Sequence, residues 1–216
     1  MRTLPEIFEN HRGLPANKFP HHIQVYDELF HKVAERVVGP SIVEIGIGHG
    51  GSLQMWREYF GPNATVIGID VQDLAYLQEP TKAKIYQLNQ GDRASMDLLR
   101  DQLGSPHIII DDGSHICGHQ ILTFETLFPI LMNDGYYIIE DIHTSYRSDY
   151  NFGGSFVEYL KKLADDIHSS ELGKSPVNPN VFSVSIYPNL AVIQKRSPAT
   201  WGGATVRPAE RIKNDS

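Results

Sequence analysis

The chain has one cysteine, Cys117, among its 216 residues, so it cannot form an internal disulfide. A reducing, cytoplasmic setting is the expectation. An excess of basic charge is also missing. The 19 Lys and Arg side chains face 26 Asp and Glu, a net charge of −7, which argues against a phosphate-tracking nucleic-acid surface and a polybasic membrane patch. No apolar run approaches the ~18–20 residues that span a bilayer, and the first residues lack the basic-then-apolar order of a signal peptide. Nucleic acid and membrane are therefore not expected partners. What the sequence does have is 41% apolar residues over a length that suits one domain with a proper core.

Periodicity orders that domain. Leu29, Val33 and Val37 recur at helical spacing in "YDELFHKVAERVV" (26–38), ahead of a Gly-Pro stop. Strand-like runs rich in β-branched residues follow at 41–48, 64–71, 83–90, 107–111 and 136–141, with helical stretches at 52–60, 95–103 and 118–131 between them. Such alternation means βαβ units and a mostly parallel sheet. A helix over 155–172 then leads to two strands within 181–196, joined tightly enough to pair antiparallel. The expectation is an α/β, Rossmann-like, seven-stranded sheet that closes with an antiparallel hairpin and carries helices on both faces. Residues 1–22 read as an irregular arm or lid, 23–196 as the domain, and 197–216 as a tail. The arm is compatible with a homo-oligomer.

Three strand ends point to one ligand crevice. "VEIGIGHGGS" (43–52) ends the first strand in Gly46 and Gly48, whose loop lets a ligand approach the backbone closely. Asp70 closes the second strand where an acidic side chain accepts hydrogen bonds from a ribose, although it is also a good helix N-cap. Asp92, just past the third strand, suits the adenine end of a cofactor or, equally, the cap of the next helix. The third glycine comes too early for a dinucleotide fingerprint, and Glu44 precedes the loop, which favours S-adenosylmethionine over NAD. The candidate cofactor-binding set is Glu44, Gly46, Gly48, Ser52, Asp70, Gln90, Asp92 and Asp111.

The fourth strand ends in Asp111-Asp112 and the fifth in Glu140-Asp141. Carboxylates gathered this closely repel unless basic partners or a bound cation hold them, and the nearest basic residues in sequence are Arg93 and Arg147. A hard divalent ion with oxygen ligands is expected, Mg²⁺ first, with Mn²⁺ and Ca²⁺ as alternatives. Solvated caps are the plain alternative reading of the same residues. His115 follows in a Gly-Ser turn and is placed to act as a general base. His119 and His143 compete with it, and His143, Tyr146 and Tyr150 are candidates for substrate contact.

The segments "VEIGIGHGGSLQMWREYF", "VIGIDV", "IIIDDGSH" and "GYYIIEDIHTSY" together resemble the metal-dependent sugar O-methyltransferases of macrolide deoxysugars and mycobacterial methylmannosides, a class I S-adenosylmethionine-dependent group. The pair "DDGSH" and "EDIHTSY" is the most discriminating part of the likeness, which covers roughly residues 18–150. "LPANKFPHH" follows the family's Lys-containing approach to the first helix only loosely. The resemblance implies S-adenosylmethionine at the glycine loop and Asp70, Mg²⁺ on Asp112, Glu140 and Asp141, support from Asp111, and His115 as the base. It implies methyl transfer to a saccharide or glycoside hydroxyl. A catechol-type O-methyltransferase and a non-catalytic nucleotide-binding module are the alternatives, and His115 beside the carboxylates speaks against the second.

Overall fold

The computed structural model describes residues 2–169, 176 and 178–197. Strands β1 (Ser41–Ile45), β2 (Thr65–Asp70), β3 (Lys84–Gln87), β4 (Ile108–Asp111), β5 (Tyr136–Glu140), β6 (Val181–Tyr187) and β7 (Leu190–Lys195) form one sheet in the order β3-β2-β1-β4-β5-β7-β6. The first five run parallel, and β7 inserts antiparallel between β5 and β6. This is the expected Rossmann-like α/β sheet with its closing hairpin.

Strand alternation sends neighbouring residues to opposite faces. Ile42, Ile108, Ile138 and Val192 join one core with Tyr26, Phe30 and Trp56. Val43, Ile109, Ile139 and Ile193 join the other with Met96, Phe124 and Phe156. The helices cover both faces: α1 (Leu4–Asn10), α2 (Pro20–Ala34) and α3 (Gly51–Phe60) on the first, α5 (Arg93–Leu103), α6 (Cys117–Leu127) and α7 (Phe156–His168) on the second, with the short α4 (Gln78–Thr81) before β3. No helix among the described residues is long and apolar enough to cross a membrane.

Three boundaries differ from the sequence reading. Residues 2–22 are irregular only in part, over 11–19, because α1 and the start of α2 lie among them. Thr3 and Glu6 close a capping box on α1, Leu4 N donates to Asp27 Oδ1 at 2.6 Å, and Leu4 and Ile7 are buried in the core with α2 and α3. Helix α2 begins at Pro20 rather than near residue 26, because Pro suits a first turn and because His22 and Ile23 are buried and extend its apolar face. It stops at Ala34, which leaves Val38 exposed. Helix α7 ends at His168, and residues 170–172 of its expected span, like 198–216 of the expected tail, lie outside the described residues.

The strand order reverses at β1, which has β2 on one side and β4 on the other. Ligands of open parallel sheets bind beyond the carboxyl ends of the strands at such a switch point. Ile45 pairs with both Ile69 and Asp111, and Asp111 with Ile139. The tips therefore end nearly level, and the next residues, Gly46, Asp112 and Glu140, share one edge.

Candidate active site

At that edge the chain bends through Gly46 (φ 82°), Gly48 (φ 48°) and Gly50 (φ 82°). A Cβ on Gly46 would lie 2.2 Å from the Asp112 carbonyl oxygen, so only glycine lets the two loops pass. A Cβ on Gly48 would meet nothing within 4 Å, because that residue faces open space. The space is a cavity of about 690 Å³ lined by Gly46, Gly48, Asp70 and Gln90, and also by Asp112, His115, Glu140 and Asp141. Asp70 Oδ2 accepts from Ile47 N at 3.2 Å and Oδ1 from Gln72 N at 3.0 Å, which fixes the carboxylate against the glycine loop.

Gln90 ties two further walls together. Its Nε2 donates to Asp111 Oδ1 at 2.6 Å, and its Oε1 accepts from Ser114 N at 2.9 Å. Burial pushes the Asp111 carboxyl up to about 7, against the hydrogen bonds from Gln90 and the Gly113 N–H. His119 lines the cavity too, its Nδ1 2.9 Å from Ser114 Oγ.

Asp92 takes the other of its two expected roles. Its side chain is exposed, accepts from Ser95 N at 2.8 Å and Ser95 Oγ at 2.7 Å as the N-cap of α5, and is not on the cavity wall. Asp92→Ala should lower the thermal midpoint by only a few degrees, the usual loss for a cap in a domain of this size. Titration of the variant with S-adenosylhomocysteine should give an unchanged affinity, whereas a clear loss would restore Asp92 to the cofactor. Glu44 and Ser52 border the cavity but are engaged within the protein: Glu44 Oε2 accepts from Ser52 Oγ at 2.7 Å and Trp56 Nε1 at 2.8 Å. These bonds also hold β1 to α3.

The carboxylates have a basic partner that sequence reading missed. Lys18, in the irregular segment before α2, is 122 positions from Glu140, yet its Nζ lies 2.5 Å from Asp112 Oδ2, 2.6 Å from Glu140 Oε1 and 2.9 Å from Glu44 Oε1. Burial alone would push this ammonium down, but Glu140, Glu44 and Asp112 hold it well above the ordinary lysine value. Glu140 also accepts from Tyr26 Oη at 2.5 Å and contacts His22 Nδ1 at 3.0 Å. Burial would raise Glu140, yet Lys18, His22 and Tyr26 bring it down to about 2. Asp112 goes the other way, pushed up by burial and by the facing Glu140 and Glu44 despite the ammonium. Both Glu140 oxygens are therefore occupied, so the expected set of Asp112, Glu140 and Asp141 does not stand open together.

Asp112, His115 and Asp141 instead bring one ligand atom each to within 4.8 Å of one another. Two carboxylates and an imidazole suit a divalent cation. Asp141 (φ 54°) and His115 (φ 59°) both sit in the left-handed region, a cost that persists where a fixed side-chain direction is needed. Thr144 Oγ1 lies 2.9 Å from the carbonyls of both residues and ties the two turns together. His115 Nε2 is 3.5 Å from Asp141 Oδ2, and His143 Nδ1 is 3.6 Å from Oδ1. Burial lowers the His115 imidazole below its usual value, and Asp141 and Glu140 pull it back only in part. His143, Tyr146 and Tyr150, expected near a substrate, are not on the cavity wall. Tyr146 is 80% exposed, and Tyr150 lies under the Arg147 guanidinium at 4.8 Å while its carbonyl accepts from Cys117 N.

No protein-family model matches the chain. It is 36% identical over 198 residues to the 8-demethyl-8-alpha-L-rhamnosyl tetracenomycin-C 2'-O-methyltransferase of Streptomyces olivaceus, a match that covers 82% of this chain and 51% of the relative. It is 32% identical over 190 residues to the mycinamicin VI 2''-O-methyltransferase of Micromonospora griseorubida, covering 79% and 47%. Among solved structures, the MycE methyltransferase from the mycinamycin pathway, in complex with Mg, SAH and mycinamycin VI, matches with a TM-score of 0.81 at 28% identity over 97% of this chain and 57% of that one. A caffeoyl-CoA O-methyltransferase from Staphylococcus aureus, with a TM-score of 0.58 at 14% identity, shares the fold. The chain spans about half the length of the curated relatives it matches.

Proposed function

Because the chain belongs to the sugar O-methyltransferase family of macrolide and tetracenomycin pathways, we propose that it transfers the methyl group of S-adenosylmethionine to a sugar hydroxyl of a glycosylated natural product. One observation carries this reading: the glycine loop and the Asp112–His115–Asp141 group line the same cavity. The donor and the acceptor hydroxyl then share one chamber. A cytoplasmic setting suits the buried, unpaired Cys117.

The residues have separable tasks. Gly46 lets the glycine loop pass Asp112 and Gly48 leaves open backbone for the donor, with Asp70 placed for its ribose and Gln90, backed by Asp111, for its base. Asp112, Asp141 and, once it is freed, Glu140 would hold a Mg²⁺ ion, which would supply Lewis-acid acidification of an acceptor hydroxyl beside the electrophilic methyl group that S-adenosylmethionine would bring. His115 takes the hydroxyl proton. Its depressed pKa keeps the imidazole neutral at pH 7, the form a base requires. Asp141 holds the ring in place, and Thr144 holds both backbones. Most of the protein's contribution is then positioning of donor and hydroxyl in line.

The test is methyl transfer to a panel of rhamnosyl and deoxysugar glycosides alongside catechols. Transfer to glycosides should be lost in EDTA and restored by Mg²⁺. Undiminished transfer in EDTA would remove the metal, and transfer to catechols alone would remove the sugar.

A further inference from the structure

The proposed ligand set and the observed contacts compete for the same oxygens. Lys18 Nζ lies within hydrogen-bond distance of Asp112 Oδ2 and Glu140 Oε1, which belong to two of the three proposed magnesium ligands, and pairs with Glu44 as well. Three N–H bonds to three carboxylates saturate an ammonium. The Lys18 side chain is only 2% exposed, so its charge is fixed in the cluster rather than shared with water. We infer that Lys18 is a built-in cation that holds the Asp112 and Glu140 carboxylates in the metal-free chain and must leave them for a divalent ion to bind.

This inference rests on the magnesium reading above. Physically, a lysine at this place does two things. It prevents the buried Glu44 and Glu140 and the partly buried Asp112 from facing one another without a counter-charge, which would otherwise cost the fold heavily. It also opposes the incoming ion, because an ammonium 2.5 Å from a ligand oxygen repels a second cation on that carboxylate. Metal affinity is thereby weakened. Lys18 also belongs to the stretch Pro15–Phe19 that walls the same cavity, so its release changes the wall beside the donor.

The wild-type chain tests this directly. Lysines are acetylated with acetic anhydride, with and without saturating Mg²⁺ or Mn²⁺, and the labelling of each is read by mass spectrometry, with exposed Lys161 as the reference. Calorimetry on the same samples reports ion uptake. Lys18 should be protected without the ion and labelled at least several-fold faster with it, while Lys161 does not change. Ion uptake with Lys18 still protected would overturn the displacement and leave the magnesium reading standing. No uptake at all would overturn both.

A Lys18→Met variant should bind Mn²⁺ at least about tenfold more tightly, since a nearby like charge has gone. Its thermal midpoint should also rise further with Mn²⁺ than the wild-type midpoint does, because the ion now supplies the only counter-charge. Equal or weaker binding would sink the inference. Should the variant fail to fold with or without the ion, the wild-type labelling decides alone.

Discussion

Replacing His115 with alanine is expected to lower kcat by about 10²–10⁴, the usual contribution of a positioned general base, while S-adenosylhomocysteine affinity stays within about twofold. The histidine lines the cavity from the turn after β4, whereas the Asp70 carboxylate is the one fixed against the glycine loop. Its Nε2 is oriented by Asp141, and its buried Nδ1 has no hydrogen-bond partner. The same residue is one of three that can reach a single metal ion, and a nitrogen bound to a metal cannot also take a proton. The two roles give different results. As a base, His115→Ala leaves Mn²⁺ affinity nearly intact and removes the acid limb of the kcat profile. As a ligand, it weakens Mn²⁺ binding by tenfold or more. The sign of the limb follows from burial. The imidazole loses its proton at a lower pH than a free histidine, whose value is about 6.5. Activity should thus hold at pH 7 and fall only as the pH drops through that depressed value. A variant with wild-type kcat would take the base role from His115.

The sheet was legible because β1, β2, β4 and β5 are short runs rich in β-branched residues ended by Gly, Asp or Glu, and those endings also mark the site. "HIIIDD" and "YYIIED" state both facts at once. What stayed hidden depends on contacts distant in sequence. Lys18 is a lone cation in "ANKFPHH", 94 positions from Asp112, and neither period nor motif connects them. Without it, four carboxylates at two strand tips favoured a metal over solvated caps; with it, Glu140 is satisfied inside the protein. Asp92 and the first helix are of another kind: "DRAS" and "TLPE" carry local capping signals, and the structure forms both caps. Glu44 shows what a motif leaves out: an acidic residue before a glycine loop reads as a cofactor contact, and the sequence does not show that Ser52 and Trp56 of α3 also bond to it.

The largest stability effect should come from Glu140. Glu140→Leu is expected to cost about 3–5 kcal/mol, the range for breaking a buried ion pair by removing one partner. Leucine fills much of the volume, so packing loss is the smaller share. The greater share is the loss of the acceptor that Lys18, His22 and the Tyr26 hydroxyl have in common, although Lys18 keeps Asp112 and Glu44, and His22 keeps the Pro188 carbonyl. Glu140→Gln keeps the shape and one acceptor, and separates charge from geometry. The pH dependence follows from the carboxyl held at about 2 in the fold. A carboxyl depressed below its unfolded value of about 4.3 stabilises fully above that value and loses its contribution as the pH falls toward 2. Wild-type stability should therefore drop more steeply between about pH 4.5 and 2.5 than that of Glu140→Gln, which has no proton to gain there. Chemical denaturation across that range in metal-free buffer measures both slopes. Parallel curves would mean that Glu140 is not held down by its partners, and with that the account of Lys18 as the counter-charge of the cluster would fail as well.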